Sequence, residues 1–130
     1  MMNRQDIYLE AYDWAVTVYY FVAAHDVYAV MSHLKRIGCK GEDLSKSWLN
    51  LTSGKKDTGL TYSDYPGRRS VIVVGKASSY GEFMNSLSHE IHHLSVHIAE
   101  ANGLDLKGEE VCYIDGRATQ KVFESPVYPI

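Results

Sequence analysis

Very little in this chain marks it for stapling, export or nucleic-acid binding. Its 130 residues include two cysteines, Cys39 and Cys112. They form no CxxC pair, which excludes a zinc knuckle and a dithiol redox motif. No long apolar run is present: Tyr19 to Ala24 is too short to cross a bilayer. The opening MMNRQDIYLE lacks the basic-then-apolar pattern of a secretion signal. Together these point to a cytoplasmic, reducing environment and to no membrane partner. Positive charge is also scarce. Thirteen Lys and Arg against sixteen Asp and Glu give a net charge of −3. A phosphate-binding surface needs a basic face, so nucleic acid is excluded as the main partner. The short clusters Lys55-Lys56 and Arg68-Arg69 read as solvated loop charges. Repeats, low-complexity tracts and linkers are absent, so residues 1–130 read as a single domain. A hydrophobic fraction of 45% suffices for a modest core without cross-links.

What is present is an alternation of strand-like and helix-like segments. Trp14 to Val22, WAVTVYYFV, is rich in β-branched and aromatic residues and reads as the first strand. His25-Asp26 is placed to cap a helix from Val27 to Ile37. Val27, Val30, Met31, Leu34 and Ile37 recur at helical spacing there, and Gly38 sits at the C-terminal cap. Leu44, Trp48 and Leu51 predict a brief second helix. Gly59 to Asp64 and Ser70 to Gly75 flank Tyr65-Pro66-Gly67-Arg68, where Pro-Gly suits a type II turn, so the pair predicts a β-hairpin. Val71 to Val74 is apolar on both faces, as a covered strand should be. The polar arm GLTYSD belongs at the sheet edge. Ser79 and Glu82 have capping-box spacing and open a helix to about Asn102. Its core stripe is Phe83, Leu87, Ile91, Leu94, Ile98 and Ala101. A last helix, about Gly108 to Phe123, turns Val111, Ile114, Ala118 and Val122 inward. The tail from Glu124 to Ile130 reads as extended.

The chemistry is concentrated in His89-Glu90-Ile91-His92-His93, which fits HExxH. Residues four apart lie one turn apart on the same helix face. His89 and His93 can therefore direct two imidazoles at one zinc ion, about 2.0–2.1 Å from each nitrogen. Both point away from the apolar stripe, so they are not core histidines. Glu90 is rotated about 100° from His89 and is placed as general base, beside the metal and not on it. A zinc site needs a third protein ligand. Glu109 and Glu110 on the next helix are the candidates, and the helical wheel leaves the choice open. His97 is a weaker rival, because three ligands in line along one helix cannot surround a tetrahedral ion. His92 points elsewhere, and His25 and His33 receive no role. Tyr113 or Arg117 near the metal would stabilise an oxyanion, against the plainer reading of Tyr113 as a packing aromatic. Asp115 is a candidate acceptor for a ligating histidine.

The stretch SHEIHHLSVHIAEANGLDLKGEEVCYIDG resembles small zincin-like metallopeptidases of phage and mobile-element type, similar to minimal gluzincins. In that family HExxH is followed by a glutamate in an E-x-x-small-Tyr context on the next helix. Glu109, Cys112 and Tyr113 match that pattern, and Gly116 suits the family's glycine after the tyrosine. GLTYSDYPGRRSVIVVGKASSYGEF continues the likeness more weakly. The resemblance implies an α+β, zincin-like fold. A small antiparallel or mixed sheet with a hairpin would pack on the HExxH helix, and a C-terminal helix would follow. It implies one zinc ion held by His89, His93 and Glu109. It implies hydrolysis of a peptide bond in a peptide or protein substrate, with Glu90 activating water and Gly59 to Asp64 bordering the cleft. The chain is short for an active peptidase. The alternative expectation is therefore a catalytically silent zincin-like binding protein of phage or mobile-element origin. A purely structural four-ligand metal site is a third, weaker possibility.

Overall fold

The two runs richest in β-branched residues become neighbours at the centre of one sheet. A computed structural model describes residues 2–126. In chain order the strands are β1 (Asn3–Leu9), β2 (Trp14–Val22), β3 (Gly59–Asp64) and β4 (Arg69–Gly75). Their spatial order is β1-β2-β4-β3. β2 and β4 pair in parallel, while β1 and β3 flank them antiparallel. The sheet is thus mixed and the architecture α+β. The helices are α1 (Val27–Arg36), α2 (Gly41–Thr52), α3 (Tyr80–Ala101) and α4 (Glu109–Glu124).

Side chains alternate across a strand, and here both faces are covered. Trp14, Val16, Val18 and Tyr20 of β2 join Ile72 and Val74 of β4 against α3 and α4. Tyr19, Val71 and Val73 face the other way, against Val27, Val30, Met31 and Leu34 of α1. Double coverage explains the unbroken apolar run in β4. A bulge interrupts β2 between Tyr20 and Val22, with Phe21 at φ 58°. The extra residue breaks the alternation. Tyr20 and Phe21 consequently both stack near Phe83, at 6.2 and 5.4 Å between ring centroids.

Several expectations are corrected. Trp14–Val22 is the second strand, because Asn3–Leu9 precedes it. That segment carries Arg4, Asp6 and Tyr8 outward and buries only Gln5 and Leu9, a weak apolar signal. α2 runs three turns, with no fully buried residue. Asp26 does not cap α1 through its side chain. It accepts instead from the Ala23 backbone N–H at 3.0 Å, closing the short 3-10 turn Ala24–Asp26. The hairpin turn is not type II, since Gly67 lacks the positive φ that type requires. The Arg68 N–H bonds back to Tyr65 O, and Arg68 itself takes φ 53°. This is a type I turn followed by a left-handed residue. A Cβ on Gly67 would come 2.2 Å from the Asp64 carboxylate, so a larger residue there would displace that side chain. The end of the tail, Val127 to Ile130, lies outside the described residues.

The helix boundaries around the motif follow sequence rules. Ser79 Oγ accepts from the Glu82 N–H at 3.1 Å and starts α3. Gly103, at φ 68°, ends it. Val111, Ile114, Ala118 and Val122 of α4 are all buried. Both cysteines are free, Cys39 buried and Cys112 exposed. No helix among the described residues is long and apolar enough to cross a membrane.

Candidate metal centre

α3 buries one flank and offers the opposite face to solvent. The Phe83–Leu87–Leu94–Ile98 stripe lies in the core, and His89 and His93 stand on the exposed side. One helical turn brings their Nε2 atoms to 3.1 Å, with the rings steeply inclined at 79°. Two Zn–N bonds of about 2.0–2.1 Å meeting near the tetrahedral angle separate their nitrogens by roughly 3.3–3.4 Å. The pair therefore fits two positions of a zinc site with little adjustment.

Glu90 faces differently from its histidine neighbours. It is only 5% exposed, on the flank of α3 that meets the edge strand β3. Thr61 Oγ1 donates to Glu90 Oε1 at 2.8 Å and lies 3.1 Å from the Glu90 backbone oxygen. Gly59 makes this approach possible. A Cβ at that position would lie 2.6 Å from Val73 O and 3.0 Å from Glu90 Oε2. Strand alternation carries the same contact line along β3. Ser63 Oγ meets His97 Nδ1 at 2.7 Å, and Tyr65 OH donates to Glu100 Oε1 at 3.1 Å. Burial, and then that bond to Glu100, push the Tyr65 hydroxyl up to about 12.

His97 is thereby engaged on the strand side. Trp14 Nε1 donates to Ser70 Oγ at 2.8 Å, and Ser70 and Ser63 hydroxyls meet at 2.7 Å. Trp14, Ser70, Ser63 and His97 thus form one hydrogen-bonded chain, in which Trp14 is the fixed donor at one end. Burial lowers the His97 pKa, which matches a neutral ring. Neither Thr61 nor Ser63 stands out in the sequence as a partner of the motif. The one available signal is their two-residue spacing in GLTYSD, which places both on one strand face.

α4 lies along the other flank of α3. His92 Nδ1 meets Asp115 Oδ2 at 3.0 Å, so Asp115 holds His92 and not one of the paired histidines. The Asn102–Gly108 turn folds α4 back along α3. Glu109 precedes Asp115 by six residues, about 9 Å of helix rise, and so lies toward the far end of α3. It is exposed and makes no hydrogen bond or ion pair among the described residues. Glu110 is committed elsewhere, accepting from Tyr12 OH at 2.7 Å. The structure brings His89 and His93 together and leaves Glu109 apart from them. Among the described residues, no three His, Cys, Asp or Glu groups cluster closely enough to hold a metal. Tyr113 is exposed, and Arg117 turns toward Glu10 and Gln120.

No protein-family model, curated protein or solved structure matches the chain. Functional inference therefore rests on the geometry of α3 and its two flanks.

Proposed function

We propose that this protein is a zinc-dependent metallopeptidase of zincin type. The observation that carries the proposal is the convergence of His89 and His93 Nε2 atoms at 3.1 Å on an exposed helix face, next to a carboxylate whose position is fixed. His89 and His93 supply two ligands. Glu109, which must move toward the pair to ligate, is the proposed third: its carboxylate is uncommitted among the described residues, whereas that of Glu110 is held by Tyr12. When bound, zinc supplies Lewis acidity that brings the pKa of water toward neutrality. Glu90 offers Oε2 as proton acceptor, while Thr61 occupies Oε1 and fixes the carboxylate plane. β3 is an edge strand; Asn50 occupies Gly59 O on its outer side, and the residues after Gly59 give an extended peptide backbone groups to pair with.

Metal analysis of purified protein supplied with zinc tests this reading. About one equivalent is expected in wild type and in Glu90→Gln, with loss in His89→Ala and weakening in Glu109→Ala. Equal zinc in wild type and His89→Ala overturns it. Cleavage of a broad peptide library, abolished in Glu90→Gln, completes the test.

One observation favours a second reading, that of a silent binding protein. Glu90 is tied to Thr61 and packed under Gly59, so its carboxylate also serves as a pin between α3 and β3. That reading expects zinc binding with no cleavage of any library member.

A further inference from the structure

A cavity of about 350 Å³ opens directly beside the histidine pair. Its walls come from Asn50 of α2, Asp57 and Thr58 in the loop before β3, Gly59 at the start of β3, and Asn85, Ser86, His89 and Glu90 of α3. The volume is at the low end for ligand sites and suits one long side chain. Asp57 and Glu90 are its two carboxylates, and no lysine or arginine lines it.

The polar groups already have partial commitments, and the Asp57 carboxylate brings acceptors alone. Asn50 gives one amide N–H to Gly59 O at 3.2 Å, which leaves a second N–H and Oδ1. Asp57 is fixed by the Ser78 N–H at 2.8 Å and the Ser78 hydroxyl at 2.7 Å. Those bonds, the backbone one first, hold its pKa below the ordinary carboxylate range, so it stays anionic. Glu90 is more than nine-tenths buried, and Thr61 satisfies one oxygen. The other, Oε2, has no partner among the described residues and belongs to a residue that lines the cavity. That oxygen stays open to the cavity, where a ligand donor can reach it.

We propose that this cavity receives the basic side chain, lysine or arginine, of a peptide lying along β3. The inference rests on the metallopeptidase reading for the term substrate, but the cavity's cation preference stands on its own lining. An ammonium or guanidinium group brings several donors and no acceptor, the complement of this wall. An apolar side chain offers the Asp57 carboxylate and Asn50 Oδ1 no donor, and an acidic one faces the Asp57 charge.

The test uses the full chain supplied with zinc. N-acetyl-arginine amide, N-acetyl-lysine amide, N-acetyl-norleucine amide and N-acetyl-glutamate amide are titrated while backbone amide resonances are followed. Saturable shifts at Gly59 and Ser86 are expected with the first two and not with the last two. Asp57→Asn keeps a residue that tolerates the left-handed φ of 61°. It should weaken binding by up to about fivefold, the upper range for an exposed ion pair. Ser86→Lys places a cation in the cavity, lies outside the loop that Asp57 supports, and should abolish binding. Equal shifts from norleucine and arginine amides, or none from either, overturn the assignment. Zinc content of the same samples separates the two ideas. Zinc uptake without arginine binding sinks the cavity assignment alone. Arginine binding without zinc uptake sinks the metallopeptidase reading alone.

Discussion

At the scale of single residues, Glu90 ties α3 to β3 through Thr61. A buried carboxylate needs donors, and among the described residues Thr61 supplies the one side-chain donor it has. Thr61→Val removes that hydroxyl at nearly constant volume and should cost about 1–3 kcal/mol, the usual penalty for stranding a buried acceptor. Urea denaturation reads the loss, and the effect should shrink in a Glu90→Gln background. His97 sets a pH dependence. Burial lowers its pKa in the fold, so the folded state prefers the neutral ring. The stabilisation is full above the unfolded value of about 6.5 and is lost as pH falls toward the folded value. The urea midpoint should therefore fall between about pH 7.5 and pH 5. His97→Gln should flatten that slope without removing it, because burial lowers the pKa of His33 too. An unchanged slope in His97→Gln would contradict the assignment. Much of this scale was legible beforehand: a four-residue spacing is enough to place two imidazoles together. The direction Glu90 takes was not, because it depends on what lies across from α3.

At the scale of elements, the contact between β3 and α3 governs the site. Gly59 is where strand and helix come closest. Gly59→Ala forces a methyl group against Val73 O, a backbone atom that cannot turn aside. The strand must shift, at a cost of about 1–3 kcal/mol, and zinc affinity should fall together with stability. Wild-type zinc binding in a destabilised Gly59→Ala protein would separate β3 from the metal centre. Helix starts and stops were readable because Ser79, Gly38 and Gly103 act locally. β1 was not, because an edge strand with charged outward residues shows little alternation of apolar type. The turn type also escaped. Pro66-Gly67 admits two backbone solutions, and the one taken here puts the positive φ on Arg68 instead of the glycine. The place of the proposed third ligand is a question of helix register, which His92–Asp115 sets and no local pattern encodes.

For the whole molecule, one buried amide joins three elements. Tyr20 OH donates to Gln5 Oε1 at 2.6 Å, and Gln5 Nε2 donates to Val122 O and Ser125 O at 3.1 and 2.7 Å. Gln5 thus fastens β1 to β2 and to the end of α4. Gln5→Ala leaves buried groups on both sides unmet and should lower stability by about 1–3 kcal/mol or more. Amide exchange should quicken first near Val122. The general architecture was legible from hydropathy, since two apolar faces demand two covering layers. The parallel pairing of β2 with β4 was not, because it joins segments far apart along the chain.

That pairing has a consequence for biogenesis. β4 takes its place between β2 and β3 only after α1, α2 and β3 have left the ribosome. Until then β2 presents an unpaired border, one side of WAVTVYYFV, to whatever strand arrives first. The nascent protein passes through a period of vulnerability to aggregation, and its folding should be slowed by the long loop that must close before the central strands meet.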